Sequence, residues 1–477
     1  MSEHCAYVVQ ISELRKHFNA DRLQIATIFS QSVIVDMKTK VGDLGIYFPT
    51  DLQLSEEYCN KNNLVRRFDE NGNNVGGYLD PNKRNIRAMK LRGEKSEGLF
   101  MPLESLAYTG ETKFSVGDKI DVLNGHEICK KYIPRGNTRR GHYSEGNRTR
   151  RHHAPISPLF MEHADTEQLV YNMDAFREGD LIEITLKMHG TSGRTGYLPK
   201  FIGYKRTFID KLFGREGTPI YDWGYVTGTR RTVINDFNDN SGYYGSNAFR
   251  EIHAKAFEGK LYKGETVYYE IVGFTDTGAA IMPQVKNNKI SDKEFTKQYG
   301  EITTFSYGCS PDGKGEYEQD EFGNFTDVRK ELPQSDMYVY RMTMTNEDGD
   351  VVEYTPDFMR YRCEQMGIKC VPVLWQGYIP NNLPRIIDMN KIDQENFEHD
   401  QTSGEYIKDI AEQYYDGPDP VGKTHVREGV VIRIVNRPKF CAYKHKNFSF
   451  KCLEGIAKDL AAEPDIEEAQ EEADVQI

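Results

Sequence analysis

The stretch 181-LIEITLKMHGTSGRTGY-197 decides how the rest of the chain is read. It opens on a short apolar run whose alternation suits a strand. It then breaks at Lys187 and continues through a turn rich in Gly, Ser and Thr. Small residues there leave room for a ligand to approach the backbone. K-x-x-G alone says little, because it occurs six times, at Lys90, Lys95, Lys187, Lys200, Lys211 and Lys297. Lys187 differs in directly following a clear strand.

Four further elements follow in order. YVTGTRRT (225–232) ends a strand on Arg230 and Arg231. TVYYEIVG (266–273) places Glu270 inside an apolar run, where a carboxylate is costly without a partner. REGVVIR (427–433) places Glu428 at a strand start. AYKHKNFSFK (442–451) puts Lys444 and Lys446 two apart, on one face of a strand. Singly, these read as a turn cation, a paired buried carboxylate and an exposed edge.

In this order they resemble the covalent nucleotidyltransferase superfamily of ATP-dependent ligases and GTP-dependent capping enzymes. Most members carry K-x-D-G; K-x-H-G-T-S, with His189, is most similar to RNA ligases. GTRR resembles motif Ia, YYEIVG motif III, YVYRM (338–342) motif IIIa, EGVVIR motif IV and KHKNF motif V. The resemblance implies an ATP-dependent RNA ligase acting in RNA repair, with Mg²⁺ or Mn²⁺. Its partner would be RNA with 3′-OH and 5′-phosphate ends. Lys187 would attack the ATP α-phosphate, AMP would pass to an RNA 5′-phosphate, and a 3′-hydroxyl would displace it. An attacking amine must be unprotonated, which nearby cations and a metal favour. The resemblance also assigns roles. Ser192 and Arg230 position nucleotide or RNA phosphate, with His189 and Gly190 beside them. Glu270 binds the ribose, Tyr340 stacks on adenine, and Glu428 orients a hydrated metal. Lys444 and Lys446 contact the α-phosphate and pyrophosphate. Arg206 and Arg231 compete with Arg230 for the motif Ia role, and Tyr338 and Phe305 with Tyr340. The alternatives are a DNA ligase, a capping guanylyltransferase, or an RNA-binding protein with an inactive transferase fold.

Upstream, residues 1–125 hold six short β-like runs (AYVVQI, LQIATIF, SVIVDM, LGIYF, NIRAMKL, GLFMPL) separated by turns. HFNADRLQIATI resembles the opening of oligonucleotide-binding (OB) barrels, an arrangement known in Deinococcus-type and Naegleria-type RNA ligases. The expected fold is α+β: an N-terminal OB-fold barrel, then an ATP-grasp-like ligase domain of antiparallel sheets with flanking helices over 165–460. Helices are expected at 246–261, with Phe249, Ile252, Ala256 and Phe257 on one face, and at 355–367; 310–335 and 380–425 show no usable period.

Net charge is −12 over 477 residues, which argues against a polyanion partner until its distribution is seen. The block 130–153 carries eight Lys/Arg against one Glu, inside an expected basic linker at 126–164 that suits phosphate contact. The tail 461–477 is expected to be acidic and disordered, with seven acids and no base between 463 and 474. No apolar run approaches the roughly 18 residues of a membrane span, and the start lacks the pattern of a signal peptide. Eight scattered cysteines form no C-x-x-C, so a cytoplasmic protein with reduced thiols and no membrane partner is expected.

Overall fold

The structure, a computed structural model, is described for residues 4–18, 20, 23–50, 52–67, 76–91, 94–110, 113–132, 157, 159–164, 166–215, 217–238, 244–287, 290, 293–319, 325–387 and 398–453. Most of the basic block and the acidic tail lie outside the described residues. The fold is mixed α+β, with antiparallel sheets and few helices. Two compact units divide the chain: Met1–Pro134 with Arg385–Asp400, and Arg135–Pro384 with Gln401–Leu453.

In the first unit all six β-like runs contain strands. Ala6–Gln10, Leu44–Phe48, Leu99–Pro102 and Lys119–Ile120 form one antiparallel sheet; Leu14–Lys16, Leu23–Ile28 and Gln31–Asp36 form another. Val8, Ile46, Phe48, Leu54, Tyr58 and Leu106 share its core. Among the described residues the ladders remain separate sheets, and no closed barrel is traced. Within the stretch expected as linker, His126–Glu127 pairs with Val122–Leu123, and Cys129–Lys131 with Leu52–Leu54.

The second unit contains two larger sheets. The strands of these two sheets are β1 Glu167–Gln168, β2 Leu181–Leu186, β3 Thr191–Lys205, β4 Thr218–Gly228, β5 Val233–Ile234, β6 Glu265–Gly273, β7 Ser335–Thr345, β8 Val351–Glu353, β9 Val373–Tyr378, β10 Gly429–Ile434 and β11 Ala442–Lys446. One sheet has the order β1-β11-β10-β2-β9 and the other β5-β4-β3-β6-β7-β8. All pairings are antiparallel except the edge pair β1–β11.

Strand periodicity sorts the five-stranded sheet into two faces. Ile182, Ile184, Val430, Ile432, Ile434 and Tyr443 pack with Ile407 and Ala411 of a helix, Ser403–Tyr414. The alternate positions Glu183, Thr185, Lys187, Val431, Arg433 and Ala442 line a cavity on the other face.

The helix at Pro356–Met366 forms as expected. Thr355 accepts from Phe358 N, Pro356 opens the first turn, and Gly367 ends it at φ +68°. Three expectations change. The helix expected over 246–261 spans only Ala248–Lys255, and its Ile252 is exposed while Arg250 and His253 are buried. Arg250 turns inward because it donates to Ser192 O and Thr191 Oγ1, at 2.8 and 2.7 Å. The aperiodic 310–335 stretch contains a hairpin, Lys314–Gln319 with Phe325–Glu331. Within 380–425, Ser403–Tyr414 is helical behind a capping box of Thr402 and Glu405.

Gly190 lies in the turn between β2 and β3. A Cβ there would meet Ile271 O at 2.3 Å and Val272 Cγ1 at 2.9 Å. Its smallness therefore serves close packing against β6, in addition to any approach of a ligand. Gly190→Ala is expected to destabilise the protein by about 1–3 kcal/mol through overpacking against backbone; an unchanged melting temperature would refute this.

Candidate active site

Lys187 is fixed by the end of β2, where its N–H donates to Gly429 O at 3.0 Å. This hydrogen bond ties the lysine to the start of β10, next to Glu428. Lys187 Nζ lies 2.8 Å from Glu428 Oε1, and Lys446 Nζ lies 3.3 Å from the same oxygen. The Glu428 side chain is only 2% exposed, against 22% for Lys187 and 13% for Lys446. Burial would raise the Glu428 pKa, but Lys187, Lys446 and His189 outweigh it and hold the carboxyl well below the usual range. His189 Nδ1 is 3.4 Å from Oε2, which makes no hydrogen bond.

His189 is built into its place. Its N–H donates to the Tyr307 hydroxyl at 2.8 Å. Its ring meets Phe305 and Phe450 edge-on at 4.6 and 4.8 Å. Phe305 is therefore packed against His189 and is absent from the cavity lining.

The cavity is open to solvent, and its non-atom space, open solvent included, amounts to about 930 Å³. It brings together Lys187, Ser192, Arg230, Glu270 and Tyr340. Ser192 and Glu270 face each other across β3 and β6, with Ser192 Oγ donating to Glu270 Oε2 at 3.4 Å. Of the rival aromatics, Tyr338 points elsewhere, donating to Asp336 at 3.1 Å with Lys369 over its ring. Of the arginines, Arg230 is in the lining, whereas Arg206 and Arg231 are not. Lys444 shares the cavity-side parity of Ala442 and Lys446 on β11; Tyr443 and His445 point the other way.

Three further positions at the cavity or beside it were not legible as motifs. Arg194, buried, donates to Thr229 O, Phe160 O and Arg231 O at 3.0–3.3 Å. It thereby shapes the loop that carries Arg230. His163 lines the cavity from within the expected linker, and Phe440 lines it beyond β10. The only sequence signal for Arg194 is its alternation with Ser192 on one strand. Glu183 also faces the cavity; burial raises its pKa, opposed by Arg360 at 2.6 Å.

The residues fit a divalent ion held largely by water and phosphate. Glu428 offers one buried oxygen without a hydrogen bond, and Mg²⁺ commonly takes only one or two carboxylates. Among the described residues no group of three or more His, Cys, Asp or Glu side chains could form a full protein cage. Among them, too, no helix is long and apolar enough to cross a membrane.

No family model and no curated protein matches this chain. Solved structures do. A Naegleria gruberi RNA ligase variant with AMP and Mn aligns at 15% identity, covering 94% of this chain and 98% of the other, with TM-score 0.52. A second variant, with ATP and Mn, gives 15% identity, 96% and 99% coverage and TM-score 0.50. The same ligase with PPi gives 15%, 96% and 98%, and 0.50. Over nearly its whole length, the chain is similar in fold to Naegleria gruberi RNA ligase.

Proposed function

We propose that this protein is an ATP-dependent RNA ligase that joins 3′-OH and 5′-phosphate RNA ends through a lysyl-AMP intermediate, in RNA repair. The observation that carries the reading is the cluster Lys187–Glu428–Lys446 at the edge of a cavity holding Ser192, Glu270, Arg230 and Tyr340. One nucleophile, one carboxylate and several cations suit nucleotidyl transfer, in which charge develops on a phosphoryl group.

In the first step Lys187 Nζ forms a bond to the ATP α-phosphorus. The bond from that phosphorus to the pyrophosphate oxygen breaks, and the amine's proton leaves to solvent. Glu428 is too weak a base to take that proton, because its pKa is held low. Its contact instead favours the ammonium form of Lys187. Lys446 offsets this by competing for the same carboxylate oxygen. A divalent ion at Glu428 would supply further competing positive charge and stabilise charge on phosphate. Ser192 and Arg230 hold phosphate, Glu270 accepts hydrogen bonds from ribose hydroxyls, Tyr340 stacks on the base, and Lys444 faces pyrophosphate. His189 and Gly190 hold the turn that presents the lysine. The first unit, read as OB-like, and the basic residues of 126–164 grip the RNA backbone by charge and stacking.

The test is incubation with ATP or GTP labelled at the α-phosphate, with Mg²⁺ or Mn²⁺. An ATP-dependent protein adduct that acid releases and alkali preserves, as expected of a phosphoramidate, supports the reading. An adduct with GTP alone indicates a capping enzyme. No adduct with either nucleotide indicates an inactive transferase fold. Sealing of nicked RNA, but not of an all-DNA nick, separates an RNA ligase from a DNA ligase.

A further inference from the structure

His163 stands at the aromatic end of the cavity, among Tyr340, Phe440 and Tyr268, with ring centroids 5.0, 5.6 and 5.7 Å from its own. It meets Tyr340 at 65° and Phe440 at 70°, so it does not extend their stacking surfaces. What it adds is a polar edge, and the structure fixes which edge.

Arg341 Nη1 lies 3.3 Å from His163 Nδ1. A guanidinium has donors and no acceptor, so Nδ1 must be the accepting nitrogen. Arg341 is itself held by Glu353, through Nε at 3.1 Å and through Nη2, and its guanidinium lies over Tyr268 and Phe440 at 4.7 and 4.6 Å. The tautomer is therefore set by a fixed cation. Burial, together with Arg341, Arg230 and Arg194, keeps the imidazole neutral by pushing its pKa well below the usual value. A neutral ring that accepts at Nδ1 carries its one proton on Nε2. Among the described residues that N–H makes no hydrogen bond. It is not among the fully buried unpartnered atoms, so it is accessible to a molecule bound in the cavity that His163 lines.

We propose that His163 is the base-reading residue of the cavity, donating its Nε2–H to a ring-nitrogen acceptor of an adenine base. The proposal rests on the ATP reading above and adds a determinant of nucleotide choice. Adenine has N1, N3 and N7 as acceptors, whereas guanine bears a hydrogen on N1. A donor aimed at N1 would meet an acceptor in ATP and a second donor in GTP.

The experiment measures the rate of adduct formation by the full chain with ATP and with 1-deaza-, 3-deaza- and 7-deaza-ATP, each replacing one ring nitrogen by C–H. Wild type is expected to lose about tenfold with one analogue, the scale of one hydrogen bond. His163→Phe is expected to be slower with ATP and to show less than a twofold gap for that analogue. His163→Gln retains an N–H near the Nε2 position and guards against a folding defect; it is expected to restore part of the gap. Equal rates for all four nucleotides in wild type, or a gap that survives in His163→Phe, would overturn this assignment and leave the ligase reading intact. Absence of any adduct with ATP would overturn both.

Discussion

Lys187→Ala is expected to lose the covalent nucleotide adduct by at least about 10⁴-fold, since removing a covalent nucleophile has cost about 10⁶-fold in a well-studied enzyme. Removing the amine leaves Lys446 at 3.3 Å to balance Glu428, so the fold should persist, with a melting temperature close to wild type. The same variant is expected to retain joining of RNA that is already 5′-adenylylated, because that step no longer needs the lysine. Gel detection of labelled protein, with sealing of pre-adenylylated RNA alongside, checks both halves. An undiminished adduct would place the nucleophile elsewhere. Loss of both activities in a folded protein would mean that Lys187 does more than accept AMP.

Glu428→Gln is expected to slow adduct formation by about 10²–10³-fold, the scale of removing one preorganised electrostatic group. It also leaves the ammonium groups of Lys187 and Lys446 facing each other without an anion. Breaking a fully buried pair costs about 3–5 kcal/mol. Both lysines reach water here, so about 1–3 kcal/mol is expected, after screening. The pH dependence has a definite sign. Glu428 has a depressed pKa in the folded protein. Its stabilisation is therefore complete above the ordinary glutamate pKa of about 4.3 and is lost as pH falls through the lower folded value. Melting curves of wild type and variant should separate above about pH 5 and converge in strong acid. Identical melting at pH 7 would mean that the cluster contributes nothing to stability.

Much of this was legible because strand periodicity and ordered motifs carry the information locally. Lys187, Ser192, Glu270 and Glu428 each sit at a strand end or on a strand whose alternation fixes the face. What escaped depends on tertiary context. His163 acquires its setting only where Tyr268, Tyr340 and Arg341 converge on it. Arg250 at a helix position reads as solvent-facing until the carbonyl of Ser192 gives it an inward partner. The placement of Arg230 in the cavity lining, with Arg231 outside it, goes with Arg194, which holds the Arg231 carbonyl from a strand 37 residues earlier. The helix Ser403–Tyr414 is a different case: its T-x-x-E capping box was visible at 402–405, inside a stretch otherwise lacking a clear period.

In the five-stranded sheet, Glu183, Thr185, Val431 and Arg433 of β2 and β10 face the cavity, and Ile182, Ile184, Val430, Ile432 and Ile434 between them build the core. Insertion of a single residue within either strand would exchange the two sets. It would drive Glu183 or Arg433 into the apolar layer while presenting isoleucines to a bound phosphate. Point substitutions at the cavity-facing positions can therefore change chemistry with little change in the core, whereas single-residue insertions and deletions damage both together. For this sheet, the number of residues in a strand is as much a determinant of activity as their identity.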